Sequence, residues 1–346
     1  MIFFNSDYLE GAHPVVMAKL METNMEQSIG YSCDPYCDAA RQRIREVCEA
    51  PEADVHFLVG GTQTNTTVIA SVLRPHQGVL TAVSGHINNH ETGAIESTGH
   101  KVLALPSDNG KITAQQVEEY YLWQQNDESF EHIVQPGMVY ISHPTEGGTL
   151  YTKAELTELS HTCRKYGLPL FLDGARLGYG LMADGTDVTL PDIAKLCDVF
   201  YIGGTKVGAL FGEAVVIMNP ALKKDFRCII KQRGGMLAKG RLLGVQFLSL
   251  FTDGLYEKIS RHADEMAYQI RDIFAEAGYS FLFTSPTNQQ YPIMSDAELA
   301  ILGKDFGYEY WTRVDATHSG VRFCASWATT QEQVDALRKA VKALRA

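Results

Sequence analysis

The chain has 346 residues, 45% hydrophobic and 21% charged, which suits a globular protein with a large core and, by length, about two domains. Its formal net charge of -11 argues against nucleic acid or an anionic membrane as partner, because phosphates are met by basic faces. No run nears the ~18 apolar residues that span a bilayer, residues 1–7 lack the parts of a signal peptide, and the cysteines are scattered and odd in number, so a cytosolic protein with reduced thiols is expected.

Residues 1–13 read as an extended arm. His13-Pro14 opens a helix through Val16, Leu20 and Met21, and a polar loop from Gly30 to Asp38 leads to a second helix, Ala39 to Cys48. Cys33 and Cys37 have the spacing of half a metal site, but no second pair follows. From Val55 the pattern is strand, Gly60-Gly61 turn, then a helix with apolar positions at Val68, Ile69, Val72 and Leu73. Free N–H groups at the helix start and the Thr62 hydroxyl make this junction a candidate phosphate cradle, with a simple tight turn as the other reading. Neither a P-loop ending nor a G-x-G-x-x-G fingerprint occurs there.

Gly78 to Val83 read as a strand, followed by S-G-H-I-N-N-H-E. His86 and His90 would share a helix face and could bind a metal, yet no third ligand is obvious; a histidine lying against a flat group competes with that reading. The pattern then alternates: strand Lys101 to Leu105, helix Thr113 to Gln125, strand Met138 to Ser142, and a capping box at Thr152-x-x-Glu155 opening a helix that Gly167 ends. A strand closing on Asp173, a short helix near Pro191 to Cys197 and a strand running into Lys206 complete it. This alternation predicts a mostly parallel sheet covered on both faces, with the ligand at the carboxyl ends of the strands. Gly60, His86, Asp173 and Lys206 all follow strands at that end.

Two of these residues carry the chemistry. Val199 to Ile202 read as a buried strand, Gly203-Gly204 as a turn, and Ala214 to Met218 as a second buried strand, so Lys206 is an isolated amine between core strands. Desolvation makes such a charge costly and favours a nucleophilic, Schiff-base-forming amine; an ordinary lysine reaching water is the alternative. Asp173 ends another apolar strand, with Arg176 three residues on. An acid at one strand end and a lysine at another fit pyridoxal phosphate, the acid facing the pyridinium nitrogen and the lysine holding the aldehyde carbon.

From about Pro220 the chain turns helical, with K231-Q-R-G-G-M-L-A-K-G-R241, and a long helical stretch runs to Gly278. Strand-like segments at Tyr279 to Phe283, Gln290 to Met294, Tyr308 to Val314 and Val321 to Ser326 follow, with helices capped by Ser295-x-x-Glu298 and Thr330-x-x-Gln333. The expected division is an arm (1–13), a cofactor-binding large domain (14–250) and a small α+β domain (251–346).

Over almost its whole length the chain resembles the threonine aldolase / β-eliminating lyase family of fold-type I pyridoxal-phosphate enzymes. The markers are Ser6-Asp7, Tyr31 before Asp34-Pro35, Gly60 to Asn65, Ser84 to His86, Leu172 to Arg176, Thr205-Lys206, Gly234-Gly235-Met236 and Val321-Arg322-Phe323. The resemblance implies an α/β fold of type I and cleavage of a threonine- or allo-threonine-like amino acid to glycine and an aldehyde. It also implies a homodimer or homotetramer with shared sites, in which Tyr31 and the loop 233–241 would reach a neighbour's site. By the same resemblance Lys206 would bind the cofactor aldehyde, Asp173 the ring nitrogen and His86 the ring face. Gly60, Gly61 and Thr62 would hold the phosphate, with Thr205 beside them, and Ser6, Arg176 and Arg322 would clamp the substrate carboxylate.

Two departures stand out. Glu146, in H143-P-T-E-G-G148, replaces a family histidine near the substrate hydroxyl, which touches the group that would help remove the β-hydroxyl proton. Leu237 replaces an arginine after G-G-M, leaving Arg233, Lys239 or Arg241 to supply that charge. Other bond choices on the same cofactor (β-elimination, racemisation, transamination) stay open on sequence grounds, as does a metal-dependent hydrolase or binding protein using His86 and His90.

Overall fold

The structure, a computed structural model, describes residues 1–345. Its centre is a seven-stranded sheet in the order Asp54–Leu58, Glu213–Ile217, Val199–Gly203, Leu170–Asp173, Gln135–Ser142, Gln77–Ala82, Lys101–Leu105. Pairing is parallel from Val199–Gly203 onward, whereas Glu213–Ile217 runs antiparallel to both its neighbours. The inner strands are buried on both faces, which explains their unbroken apolar runs. Alternate residues feed two cores: Leu80, Val139, Leu172, Phe200 and Val216 on one face, and Val79, Met138, Phe171, Tyr201 and Val215 on the other.

A second, smaller sheet joins Ile293–Ser295, His318–Cys324 and Glu309–Arg313 antiparallel. The arm belongs to this region: Ile2–Phe3 pairs in parallel with Phe306–Gly307, and Phe4 is buried in the adjoining core. The helix Leu255–Glu276 bridges the regions, with Tyr256, Ile259 and Ala263 in the larger core and Ile270, Ile273 and Phe274 in the smaller.

The three capping boxes expected at Thr152, Ser295 and Thr330 all form. Three expectations change. The second helix begins at Pro35, because Asp34 accepts the N–H of Cys37 and proline suits the first helical position. The stretch after Pro220 divides into helices Phe226–Gln232, Arg241–Leu250 and Leu255–Glu276, broken where Gly234 and Gly254 take φ of +73° and +66°. Residues 279–283 form only a bridge from Phe281 to Pro292, since a proline has no N–H to extend a ladder. Among the described residues no helix is long and apolar enough to cross a membrane. Five of the seven cysteines are buried, Cys33 and Cys228 are exposed, and all are free.

Behind the strand ends lies His143, fully buried, whose imidazole is held down to about 4 by burial and by the Lys111 charge. An unfolded histidine titrates near 6.5, so between these values the unfolded chain takes up a proton that the folded chain refuses. This contribution to stability is whole above pH 6.5 and is lost as pH falls toward 4, at up to about 1.4 kcal/mol per pH unit. Urea midpoints between pH 7 and pH 5 should fall accordingly, and fall less steeply in His143→Gln.

Candidate active site

The parallel strands end on a cavity of ≈ 300 Å³. It is lined by Gly60, Gly61, Thr62, His86, Glu146, Asp173, Arg176, Thr205 and Lys206, together with Tyr8, Ser142, Tyr201 and Glu213. All four strand-end residues singled out from the sequence therefore share one cavity. Register explains the meeting: Ser142 pairs with Asp173, and Gly203 with Glu213, so the ends of adjacent strands stand side by side.

Asp173 is the most heavily engaged group. Tyr201 and Tyr140 each donate a hydroxyl to its carboxyl at 2.5 Å, Asn65 donates an amide at 3.1 Å, and the Ala175 N–H donates at 3.0 Å. Burial and the adjacent Asp173 push both phenols well above their usual range, so they remain donors. Four donors from four segments fix the orientation of one carboxyl. Three of them were missed in the sequence reading, although Asn65 closes the quoted G-G-T-Q-T-N stretch, at a buried position on the helix Gly61–Val72.

Lys206 follows a turn that only glycine permits at Gly203, where a Cβ would stand 2.3 Å from the carbonyl oxygen of Ala175. The next N–H, of Gly204, donates to Glu213 Oε2 at 3.0 Å, and Tyr179 donates its hydroxyl to the Lys206 carbonyl at 2.5 Å. No hydrogen bond or ion pair reaches the Lys206 Nζ among the described residues; it stands 6.0 Å from the centre of the Tyr8 ring. Burial, then the Arg176 charge, lowers its proton affinity, against the opposing pull of Asp7, Asp173 and Glu213.

Opposite lie two more acids. Glu146 Oε1 accepts the Ser142 hydroxyl at 2.7 Å and the His86 backbone N–H at 2.9 Å, while Oε2 is buried with no partner. Burial raises its pKa; the Ser142 hydrogen bond and the nearby His86 oppose the rise, and Asp173 adds to it. The His86 ring is oriented by Glu91, Oε1 to Nδ1 at 2.9 Å, and Glu91 also accepts from Asn65 at 2.8 Å. The His86 and His90 rings lie 5.5 Å apart and tilted, and among the described residues no group of three or more His, Cys, Asp or Glu could hold a metal ion.

Arg176 is not a free clamp. Its Nε and Nη2 pair with both oxygens of the buried Asp7 at 2.7 and 3.0 Å, and Asn288 donates to Asp7 at 2.9 Å. Burial alone would raise the Asp7 pKa, but Arg176, Lys206 and these hydrogen bonds outweigh it and hold it below the usual value. Of Ser6 and Asp7, expected together from the sequence, it is Asp7 that lies against the arginine. Ser6, Arg322 and Tyr31 do not line the cavity. Arg322 donates to Asn5 and Gln289 at 2.9 and 3.2 Å, with Nε buried and unpartnered. Tyr31 is exposed, with Lys231 Nζ 4.7 Å from its ring centre.

The beta-eliminating lyase family profile matches residues 4–297. A low-specificity L-threonine aldolase of Pseudomonas sp. (strain NCIMB 10558) is 30% identical over 345 residues, covering 99% of this chain and 97% of that protein. Among solved structures, a threonine aldolase of Leishmania major superposes with a TM-score of 0.97 at 42% identity, covering 100% of both chains. The histidinol-phosphate aminotransferase of Clostridium acetobutylicum, at 13% identity and a TM-score of 0.73, shares the fold alone. The fold-type I architecture expected from the sequence is thus borne out. Matched along nearly its full length in sequence and in structure, the chain belongs to the beta-eliminating lyase family.

Proposed function

We propose that this protein is a pyridoxal 5′-phosphate-dependent carbon–carbon lyase that cleaves β-hydroxy-α-amino acids of the threonine and allo-threonine type to glycine and an aldehyde. The observation that carries the reading is the meeting of Lys206 and Asp173 in one cavity with the helix start at Gly60–Thr62. The residues fit the cofactor: an unpaired amine for its aldehyde, a carboxyl oriented by four donors for its ring nitrogen, and a helix N-terminus with free N–H groups for its phosphate. A Cβ on Gly60 would meet nothing within 4 Å, so the backbone there opens onto space. When bound, the cofactor supplies an electron sink for the substrate's α-carbon.

The chain's own groups then divide the work. His86, its ring fixed by Glu91, offers a flat wall. Arg176 retains Nη1, the nitrogen that Asp7 leaves free, for the substrate carboxylate. Holding that carboxylate turns the Cα–Cβ bond into the orientation in which it breaks. Glu146 Oε2, without a partner of its own, takes the proton from the β-hydroxyl as the bond opens, and its raised pKa makes it a better base than an ordinary carboxylate.

Among the described residues Arg176 and Lys206 are the lysine and arginine groups lining the cavity, which leaves the phosphate end without a further cation from them. This supports a homo-oligomer, dimer or tetramer, in which Tyr31 and residues 233–241 complete a neighbouring site. Arg233 and Lys239 are the better-placed donors of charge, since Arg241 is spent on the carbonyls of Glu26 and Asn24. The reading also takes the arm as 1–13, the large domain as 14–250 and the small domain as 251–346, within a cytosolic protein.

Purified protein should be yellow and should release acetaldehyde and glycine from L-threonine or L-allo-threonine; pyruvate instead would point to elimination, and the absence of a visible band would sink the cofactor assignment. Lys206→Ala should lose the band that borohydride otherwise bleaches. Glu146→Gln should keep the band and lose about 10²-fold or more in kcat. The acid limb of the wild-type kcat/KM profile should lie above the usual carboxylate range and disappear in that variant. Asp7→Ala, which strands a buried guanidinium, should cost about 3–5 kcal/mol in urea unfolding and raise KM.

A further inference from the structure

Glu213 has no part in the mechanism above, yet it is a fully buried acid in the wall of the reactive cavity. It opens the strand Glu213–Ile217, is the register partner of Gly203, and accepts the Gly204 N–H at 3.0 Å. Two residues further along that turn is Lys206. The carboxyl therefore grips the very turn that presents the amine, from a strand antiparallel to the one that delivers it. A buried acid is costly where it has no use, and a neutral glutamine could accept the same N–H.

We propose that Glu213 is a positioning residue for Lys206, its carboxyl holding the turn that presents the lysine nitrogen and biasing the charge that nitrogen carries. The inference rests on the reading of Lys206 as the cofactor-binding amine. The groups acting on the pair are Asp173 at the neighbouring strand end, Thr205 in the turn, Arg176 with the Asp7 bound to it, and the phenols of Tyr201 and Tyr256. Burial, then Arg176, pushes protons off Lys206, while Asp7, Asp173 and, less strongly, Glu213 attract them. Asp7 is already bound to Arg176, and Asp173 to four donors. Burial pushes the Glu213 pKa up to about 8, against the Thr205 hydroxyl, the Lys206 charge and the Gly204 N–H, so its own charge changes near neutral pH. As it ionises it favours the protonated nitrogen, and when neutral it leaves that nitrogen to the repulsion of Arg176. The lysine's charge thus follows a carboxyl that does not itself touch substrate.

The test is the pH titration of the visible band of the holoenzyme, followed by absorbance. Glu213→Gln keeps the acceptor for Gly204 and removes only the charge. It should shift the midpoint at which the lysine-linked cofactor loses its proton to lower pH by about one unit, with the thermal melting point little changed. Glu213→Asp, which withdraws the charge by one methylene, should move the midpoint the same way by less. A midpoint unmoved in whichever variant folds overturns the proposal. Wild-type protein without any visible band would instead refute the cofactor reading on which it stands, so the two failures are distinguishable.

Discussion

The site depends on one arrangement of hydrogen bonds, the four donors gathered on Asp173. Tyr140 and Tyr201 come from flanking strands, Asn65 from the helix that begins at the glycine turn, and the fourth is a backbone N–H two residues on. A buried carboxyl in an apolar strand end is tolerable only when its lone pairs are satisfied. Here satisfying them ties together the very elements that frame the cavity. The same Asn65 amide reaches Glu91, which orients His86, so the orientation of the imidazole wall is coupled through one side chain to that of the acid.

The second organising feature is a balance of buried charge. Two cationic side chains, Lys206 and Arg176, share the cavity with Asp173, Glu146 and Glu213, and Asp7 closes on Arg176 from the arm. Neither cation can be discharged without altering the other's surroundings. Asp7 reaches Arg176 from an arm whose Ile2–Phe3 is held in the small sheet and whose Phe4 sits in its core, so the small region contributes to the site through the arm.

Much of the fold is legible in the sequence. Capping boxes, the glycines at chain reversals and the alternation of apolar strands with helices are local signals, and they located nearly every element of the large sheet. What local signals lack is direction. Glu213–Ile217 reads like its parallel neighbours yet runs antiparallel, because a short return of nine residues after Gly203 leaves no room for a helical crossover. In the same way Gly60, His86, Asp173 and Lys206 could be named as strand-end residues, whereas Tyr140 and Tyr201 looked like ordinary core aromatics. Their hydroxyls matter only because of what lies across the sheet.

By itself, the sequence determined the periodicity, the turns and the chemical identities of the amine, the acid and the glycines at the helix start, since each of these is written in residues close together along the chain. Only the tertiary structure decided that Asp7 rather than Ser6 engages Arg176, that Glu146 presents one unpaired oxygen, and that Glu213 stands under the Lys206 turn. Those pairings join residues up to 169 positions apart. Contacts at such separation are chosen by strand register and by the need to satisfy every buried polar atom, and neither constraint leaves a local trace in the order of the amino acids.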